Sequence, residues 1–195
     1  MGGYLNVCSR RTMLSLLFVG ASLLSVVAQN LAVKTNALWW MTGTPNIGIE
    51  IPVIENQTFQ LFYGINPWKS DVKSTTHWCL QPEFRYWLRQ RWKGWFVGIH
   101  AMGDEFNVEN KRLPLGIWKG LRDNRYSGWY VGGGISAGYQ WKLSRHWNLE
   151  AAIGFGYNYV EYDQYKCLKC GELERSSSLN YVGPTKLALN IQYLF

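Results

Sequence analysis

Tyr181-Val-Gly-Pro-Thr-Lys-Leu-Ala-Leu-Asn-Ile-Gln-Tyr-Leu-Phe195 decides the fold. Side chains alternate between the two faces of an extended strand. Thr185, Leu187, Leu189, Ile191, Tyr193 and Phe195 fall on one face. Lys186, Ala188, Asn190, Gln192 and Leu194 fall on the other. The first face is apolar and ends in two aromatics; the second carries a lysine and two carboxamides. A strand of this kind separates an apolar medium from a polar one.

Working outward, the same period recurs seven times upstream. The segments are roughly Leu31–Met41, Asn46–Val53, Thr58–Ile65, Thr76–Leu88, Trp95–Gly103, Trp129–Trp141 and Trp147–Tyr159. Each alternates, and most approach the roughly 9–11 residues of a tilted membrane-spanning strand. Pro82 interrupts the fourth and predicts a bulge there. With the terminal strand the number is eight, the smallest usual size for a transmembrane barrel. The links Ile54–Gln57, Arg89–Gly94 and Lys142–Arg145 are short. Pro67–Thr75, Asp104–Gly128 and Glu161–Asn180 are long, with Thr42–Pro45 a short exception on that side. The expected fold is an all-β, eight-stranded antiparallel up-and-down transmembrane barrel, with long connections outside and both ends of the barrel domain in the periplasm.

The beginning of the chain fits an exported protein. Arg10 and Arg11 precede the apolar run Met13–Val27, and Val26-Val27-Ala28 supplies small residues at a cleavage position. Residues 1–28 are expected to be a signal peptide and residues 29–195 the outer-membrane barrel domain. The apolar run is shorter than the roughly 20 residues needed to span as a helix. The chain carries a net charge of +7, which falls to +5 without Arg10 and Arg11. An exported barrel meets no nucleic acid, so the basic balance is read by position. The short turns hold Glu55, Arg89, Arg91, Lys93, Lys142 and Arg145, a basic set facing lipid headgroups.

The 11 Trp and 12 Tyr test the register. Trp39, Tyr63, Trp68, Trp78, Trp129, Tyr157 and Tyr181 are expected at the outer interface. Phe59, Tyr86, Trp92, Trp95, Tyr139, Trp141, Trp147, Tyr193 and Phe195 are expected at the periplasmic one, as girdles of amphipathic rings. A soluble, lipocalin-like barrel would require the apolar faces inside and the charged faces in water.

The inward set contains Lys34, Arg85 and Lys186 against Glu50, Glu83 and Glu150. Three positives and three negatives in a narrow lumen predict a self-satisfied ion-pair plug, because buried charges are costly unless paired. Eight strands leave an interior that side chains can fill. A narrow channel is the competing reading of the same residues.

Other motifs are weak. Cys167 and Cys170 form a CxxC in the last long connection, where an oxidising compartment favours a local disulfide. A lone Cys pair does not complete a four-ligand zinc site, so no metal and no cofactor are expected. Cys79 is expected as a packed thiol in the lumen. His77 near Asp71 and Ser74 is the one grouping suggestive of a membrane hydrolase acting on lipid or peptide; no HExxH or nucleophile-elbow pattern accompanies it, and no enzymatic role is expected. Gly132-Gly133-Gly134 lies within a strand, where glycines allow curvature or admit a bulky neighbour.

The terminal strand resembles the last strand of outer-membrane barrels, which serves as their assembly signal; the resemblance assigns that role to Tyr193 and Phe195. The strings AVKTNALWW (Ala32–Trp40), TPNIGIEIP (Thr44–Pro52), GINPW (Gly64–Trp68), QPEFRYWL (Gln81–Leu88) and FVGIHA with EFNV (Phe96–Val108) resemble a Bacteroidetes family of unknown function. That resemblance implies a small outer-membrane barrel, sometimes encoded near fimbrial genes, and supplies no catalytic residues. The partners implied are outer-membrane lipid, the barrel-assembly machinery and a surface protein met by the long connections.

Overall fold

A computed structural model describes residues 31–68, 75–109, 125–165 and 173–195. The expected signal peptide, Asp71, Ser74, Cys167 and Cys170 lie outside them. Eight antiparallel strands close into a barrel in chain order. They are β1 (Ala32–Asn36), β2 (Asn46–Ile54), β3 (Gln57–Asn66), β4 (Thr75–Trp87), β5 (Gly94–Glu109), β6 (Arg125–Lys142), β7 (Trp147–Tyr165) and β8 (Leu173–Leu194). Pairing of β1 with β8, with Lys34 opposite Gln192, closes the ring and leaves no open edge.

Polarity is inverted relative to a water-soluble domain. Among the described residues, nineteen polar or charged side chains are buried against nine hydrophobic ones. Ile135, Leu187, Ile99 and Val131 are exposed on the outside, while Glu50, Gln60, Gln140, Asn148, Glu150, Asn190 and Gln192 are buried within. This excludes the lipocalin-like arrangement. On β6, Trp129 and Trp141 bracket the apolar stretch twelve residues apart. At roughly 3.3 Å per residue and a tilt near 40°, they are separated by about 30 Å along the barrel axis.

Four local departures from the expected pattern shape the lumen. First, the initial strand ends at Asn36, and Ala37–Met41 forms a short helix, α1. The Asn36 side chain caps it by accepting from the Leu38 N–H at 3.0 Å. Trp39 therefore leaves the outer girdle and turns over the barrel mouth, meeting Phe62 edge-on at 5.7 Å. Gly64 admits it: a Cβ there would lie 2.5 Å from the Trp39 ring.

Second, β4 keeps its register against both neighbours through Pro82, so the expected bulge is absent. Register shifts occur instead between Pro52 and Ile54 on β2, between Gln164 and Tyr165 on β7, and within β8, where the shift turns side chains into the lumen. Lys186 pairs with Gly154 but Pro184 pairs with Phe155, which leaves Thr185 as the extra residue. Thr185 and Lys186 consequently both reach the interior, Thr185 Oγ1 standing 2.9 Å from His100 Nε2. Above the bulge the alternation is reversed. Tyr181 shares the face of Asn158 across β7, and Val182 is the residue exposed outside, at 80%. Thr185 and Tyr181 thus belong to the inner face.

Third, Trp92 sits in the β4–β5 turn with a φ of 59°, a left-handed value unusual for a bulky residue. Its ring packs against the buried cluster of Trp87, Phe96, Ala152 and Ala188 and floors the barrel rather than joining the girdle. Fourth, β5 to β8 run well past the expected limits, so much of the supposed long links is paired strand. Gly134 faces Gly156 across β6 and β7 in a tight curve; a Cβ on Gly134 would stand 2.8 Å from the Gly156 Cα.

Candidate functional site

The six charges expected in the lumen converge. Arg85 is the hub, fully buried on β4. Its Nε and Nη2 donate to Glu83 Oε2 at 3.0 and 2.9 Å, its Nη1 and Nη2 to Glu150 Oε2 and Oε1 at 2.8 and 3.0 Å, and its Nη1 to Glu50 Oε2 at 3.3 Å. One guanidinium thus bridges carboxylates from β2, β4 and β7, which the planar fork with five donors permits. Lys34 donates to Glu150 Oε2 at 2.8 Å and pairs with Glu50. Lys186 pairs with Glu83. The two lysines come from adjoining strands but serve different carboxylates, because Lys186 lies several residues farther toward the outer end.

Neutral groups complete the cage. Ser136 donates to Glu83 Oε1, Gln60 Nε2 to Glu83 Oε2 at 3.1 Å, Asn190 Nδ2 to Glu150 Oε1 at 2.7 Å, and Thr58 to Glu50 Oε1. Each lies at an inward position of its strand, so alternation locates it. Its partner becomes visible only once cross-strand register is known. Below the cage, Arg85 Cζ lies 4.3 Å from the Phe96 ring centroid, and Trp87 Nε1 donates to Thr58 Oγ1 at 2.9 Å. Apolar floor and ionic cage are therefore continuous.

A second polar group closes the outer half. Asp104 lies on β5 and is buried; the sequence reading assigns it to a connection. Its Oδ2 accepts from His77 Nδ1 at 3.1 Å and from the Tyr130 hydroxyl at 3.3 Å. His77 Nε2 stands 3.0 Å from Thr44 Oγ1. The order hydroxyl, imidazole, carboxylate matches that of an acyl-transfer triad. Thr44 is buried, and the Thr44 and Gly43 amides are already bonded to Trp39 and Trp40 carbonyls. They are not free to stabilise an oxyanion. Cys79 is buried opposite Asp104, as a luminal thiol should be. Among the described residues, no group of three or more His, Cys, Asp or Glu side chains is arranged to hold a metal ion.

Tyr193 and Phe195 lie at the short-turn end. Their rings are 4.9 Å apart, Tyr193 meets Trp147 at 5.1 Å, and Phe195 is exposed. The Phe195 N–H donates to the Leu31 carbonyl at 3.0 Å, tying the last residue to the start of the barrel.

The sequence model of a family described as "Protein of unknown function (DUF3575)" matches residues 12–195. No curated protein matches the chain. A similar solved structure is the N-terminal β-barrel domain of Pseudomonas aeruginosa OprF, at 12% identity and a TM-score of 0.40, covering 86% of this chain and 98% of that one.

Proposed function

Because the chain belongs to this family of unknown function, its role has to be read from the barrel itself, and we propose that it is a small integral outer-membrane protein with a plugged lumen and a structural or surface-interaction role at its outer rim. The observation that carries this reading is the inverted polarity: an apolar exterior bracketed by aromatics around a charged interior. The span of about 30 Å between Trp129 and Trp141 matches the hydrocarbon thickness of a bilayer. A closed barrel leaves no backbone group unsatisfied in lipid.

The interior supports a plug rather than a conduit. Arg85, Lys34 and Lys186 are engaged by carboxylates, and Trp87, Phe96 and Trp92 fill the lumen below them. Function then falls to the ends. Tyr193 and Phe195 are the groups presented to the barrel-assembly machinery. The extended strands and the connections beyond them are the surface offered to a protein partner outside the cell, with a component of surface-fibre assembly as the proposed partner. Neither a catalytic step nor a cofactor is part of the proposal.

The test is fractionation of the full chain with heat-modifiable gel migration. Recovery in the outer membrane and a mobility shift on boiling are expected; recovery as a soluble periplasmic protein overturns the reading. In planar bilayers the wild type should show no steady current. A stable, ion-selective current would favour the channel instead.

A further inference from the structure

Above the ionic cage the lumen holds a cavity of about 200 Å³, bordered by Trp39, Cys79, Asp104, Tyr130, Thr185 and Lys186 among others. Seven charged side chains of Asp, Glu, Lys and Arg type are buried among the described residues, and six of them balance within the cage. Asp104 is the seventh. Among the described residues no Lys or Arg pairs with it, and its one ion-pair partner is His77, on Oδ2. Its other oxygen, Oδ1, is buried with no hydrogen-bond partner among the described residues, and Asp104 as a whole is only 7% exposed. A carboxylate oxygen desolvated in this way calls for a donor or a positive charge.

The rest of the lining narrows the class of occupant. Lys186 is directed at Glu83 and contributes no free cation to an anionic guest. Trp39 and Tyr130 supply aromatic walls, on which an organic cation gains cation–π attraction. Thr185 adds a hydroxyl that the β8 bulge alone brings inside. The lining offers a divalent ion one carboxylate; the oxygens of Asn36, Tyr130 and Thr185 are already engaged by the Leu38 and Leu189 amides, Asp104 and His100, so the shell such an ion requires is incomplete. We infer that this cavity is a binding site for a small organic cation with an ammonium head, held by Asp104 Oδ1 beneath the Trp39 lid. The site is separate from the surface-interaction role and does not require the lumen to conduct.

The full chain, folded in deuterated detergent, is titrated with ethylammonium chloride and followed by saturation-transfer NMR. Saturable binding of ethylammonium is expected, with ethanol, its neutral counterpart, at least tenfold weaker. Asp104→Asn, checked for a retained heat-modifiable shift, should lower ethylammonium affinity at least tenfold. The inference is overturned by no saturable binding, by equal binding of ethanol, by unchanged affinity in Asp104→Asn, or by displacement with equimolar potassium chloride. Should Asp104→Asn not fold, Cys79 in the wild type gives an independent readout. A cationic ethylammonium methanethiosulfonate should modify it at least tenfold faster than the anionic sulfonatoethyl reagent, each rate normalised to a free thiol. Equal rates, or a preference for the anion, also overturn the assignment.

Discussion

Replacing Arg85 with Met should be the most damaging single change in the lumen. The methionine side chain replaces the aliphatic stem only about as far as Nε, so the guanidinium goes with its charge, its hydrogen bonds and its contact with the Phe96 ring. Arg85 makes five contacts to Glu83, Glu150 and Glu50, all between 2.8 and 3.3 Å. After substitution, three buried carboxylates share two lysines. Removing one member of a buried pair typically costs about 3–5 kcal/mol, because the partner's charge is left uncompensated. Glu83 and Glu150 each lose two charge-assisted bonds, but Glu83 keeps Lys186, Ser136 and Gln60 whereas Glu150 keeps Lys34 and Asn190. Lys186→Met should cost less, since Glu83 keeps Arg85, Ser136 and Gln60. Adding Glu150→Gln to Arg85→Met restores charge neutrality and should recover a coupling of about 1–3 kcal/mol. The assay is reversible urea unfolding in lipid vesicles, read by heat-modifiable mobility and tryptophan fluorescence. A loss below about 1 kcal/mol for Arg85→Met, or a larger loss for Lys186→Met, would refute the hub role.

The remaining predictions address facing and assembly. Arginine at Ile135 or Leu187, both exposed on the apolar belt, should cost about 2–4 kcal/mol in the same unfolding assay, and a neutral result at both would argue against a lipid-facing belt. A spin label at Val182 should report contact with the outside of the barrel and one at Tyr181 the inside; the reverse pattern would remove the β8 bulge. Deleting Phe195 should slow insertion in an assembly assay, and normal kinetics would deny the terminal aromatic its role. Gly64→Leu should displace Trp39 from the mouth and destabilise the barrel, measurable as a lower urea midpoint, since a Cβ alone already meets the ring at 2.5 Å.

The elements legible in the sequence are those where the two faces see different media. Along β2, β3 and β7 the contrast between exterior and lumen is strong wherever an aliphatic or aromatic residue alternates with a charge or carboxamide, and alternation assigns Ile49 outside and Glu50 inside without ambiguity. The six cage residues follow from it. Where the contrast weakens, alternation no longer distinguishes the two faces. Ala37–Met41 is a short apolar run, and such a run cannot be told from a helix turn by period alone. The capping asparagine before it is the signal that decides. Gly183-Pro184 marks the β8 bulge, yet alternation of bulky residues continues past it in the sequence and hides the phase change. Beyond the belt the outward positions of β5 turn polar at Glu105 and Asn107, so Asp104 reads as the start of a connection although the ladder runs on to Glu109. Trp92 gives no signal, because a left-handed tryptophan is dictated by the floor it fills.

The vertical order of the lumen explains why a guest cavity belongs on the outer side alone. At the short-turn end, Trp87, Phe96 and Trp92 pack with alanines, and the polar side chains beside them, Gln140, Asn148 and Gln192, are neutral carboxamides. The cage above them needs that dry floor: Coulomb attraction within it strengthens as water is excluded, and Arg85 also gains the face of Phe96. A cage that is already neutral and densely bonded has no call for a further ion. Above it the balance fails by one carboxylate, and the enclosure changes from packed side chains to a lid on a short capped helix. That lid is fixed by Asn36 and by the hydrogen bond from Trp68 Nε1 to the Gly43 carbonyl at 2.8 Å, not by the β ladder. Helix turns outside a ladder open at lower free energy than core strands. The mouth can therefore exchange a small guest while the cage stays shut, so binding at Asp104 and absence of conductance are compatible properties of one barrel.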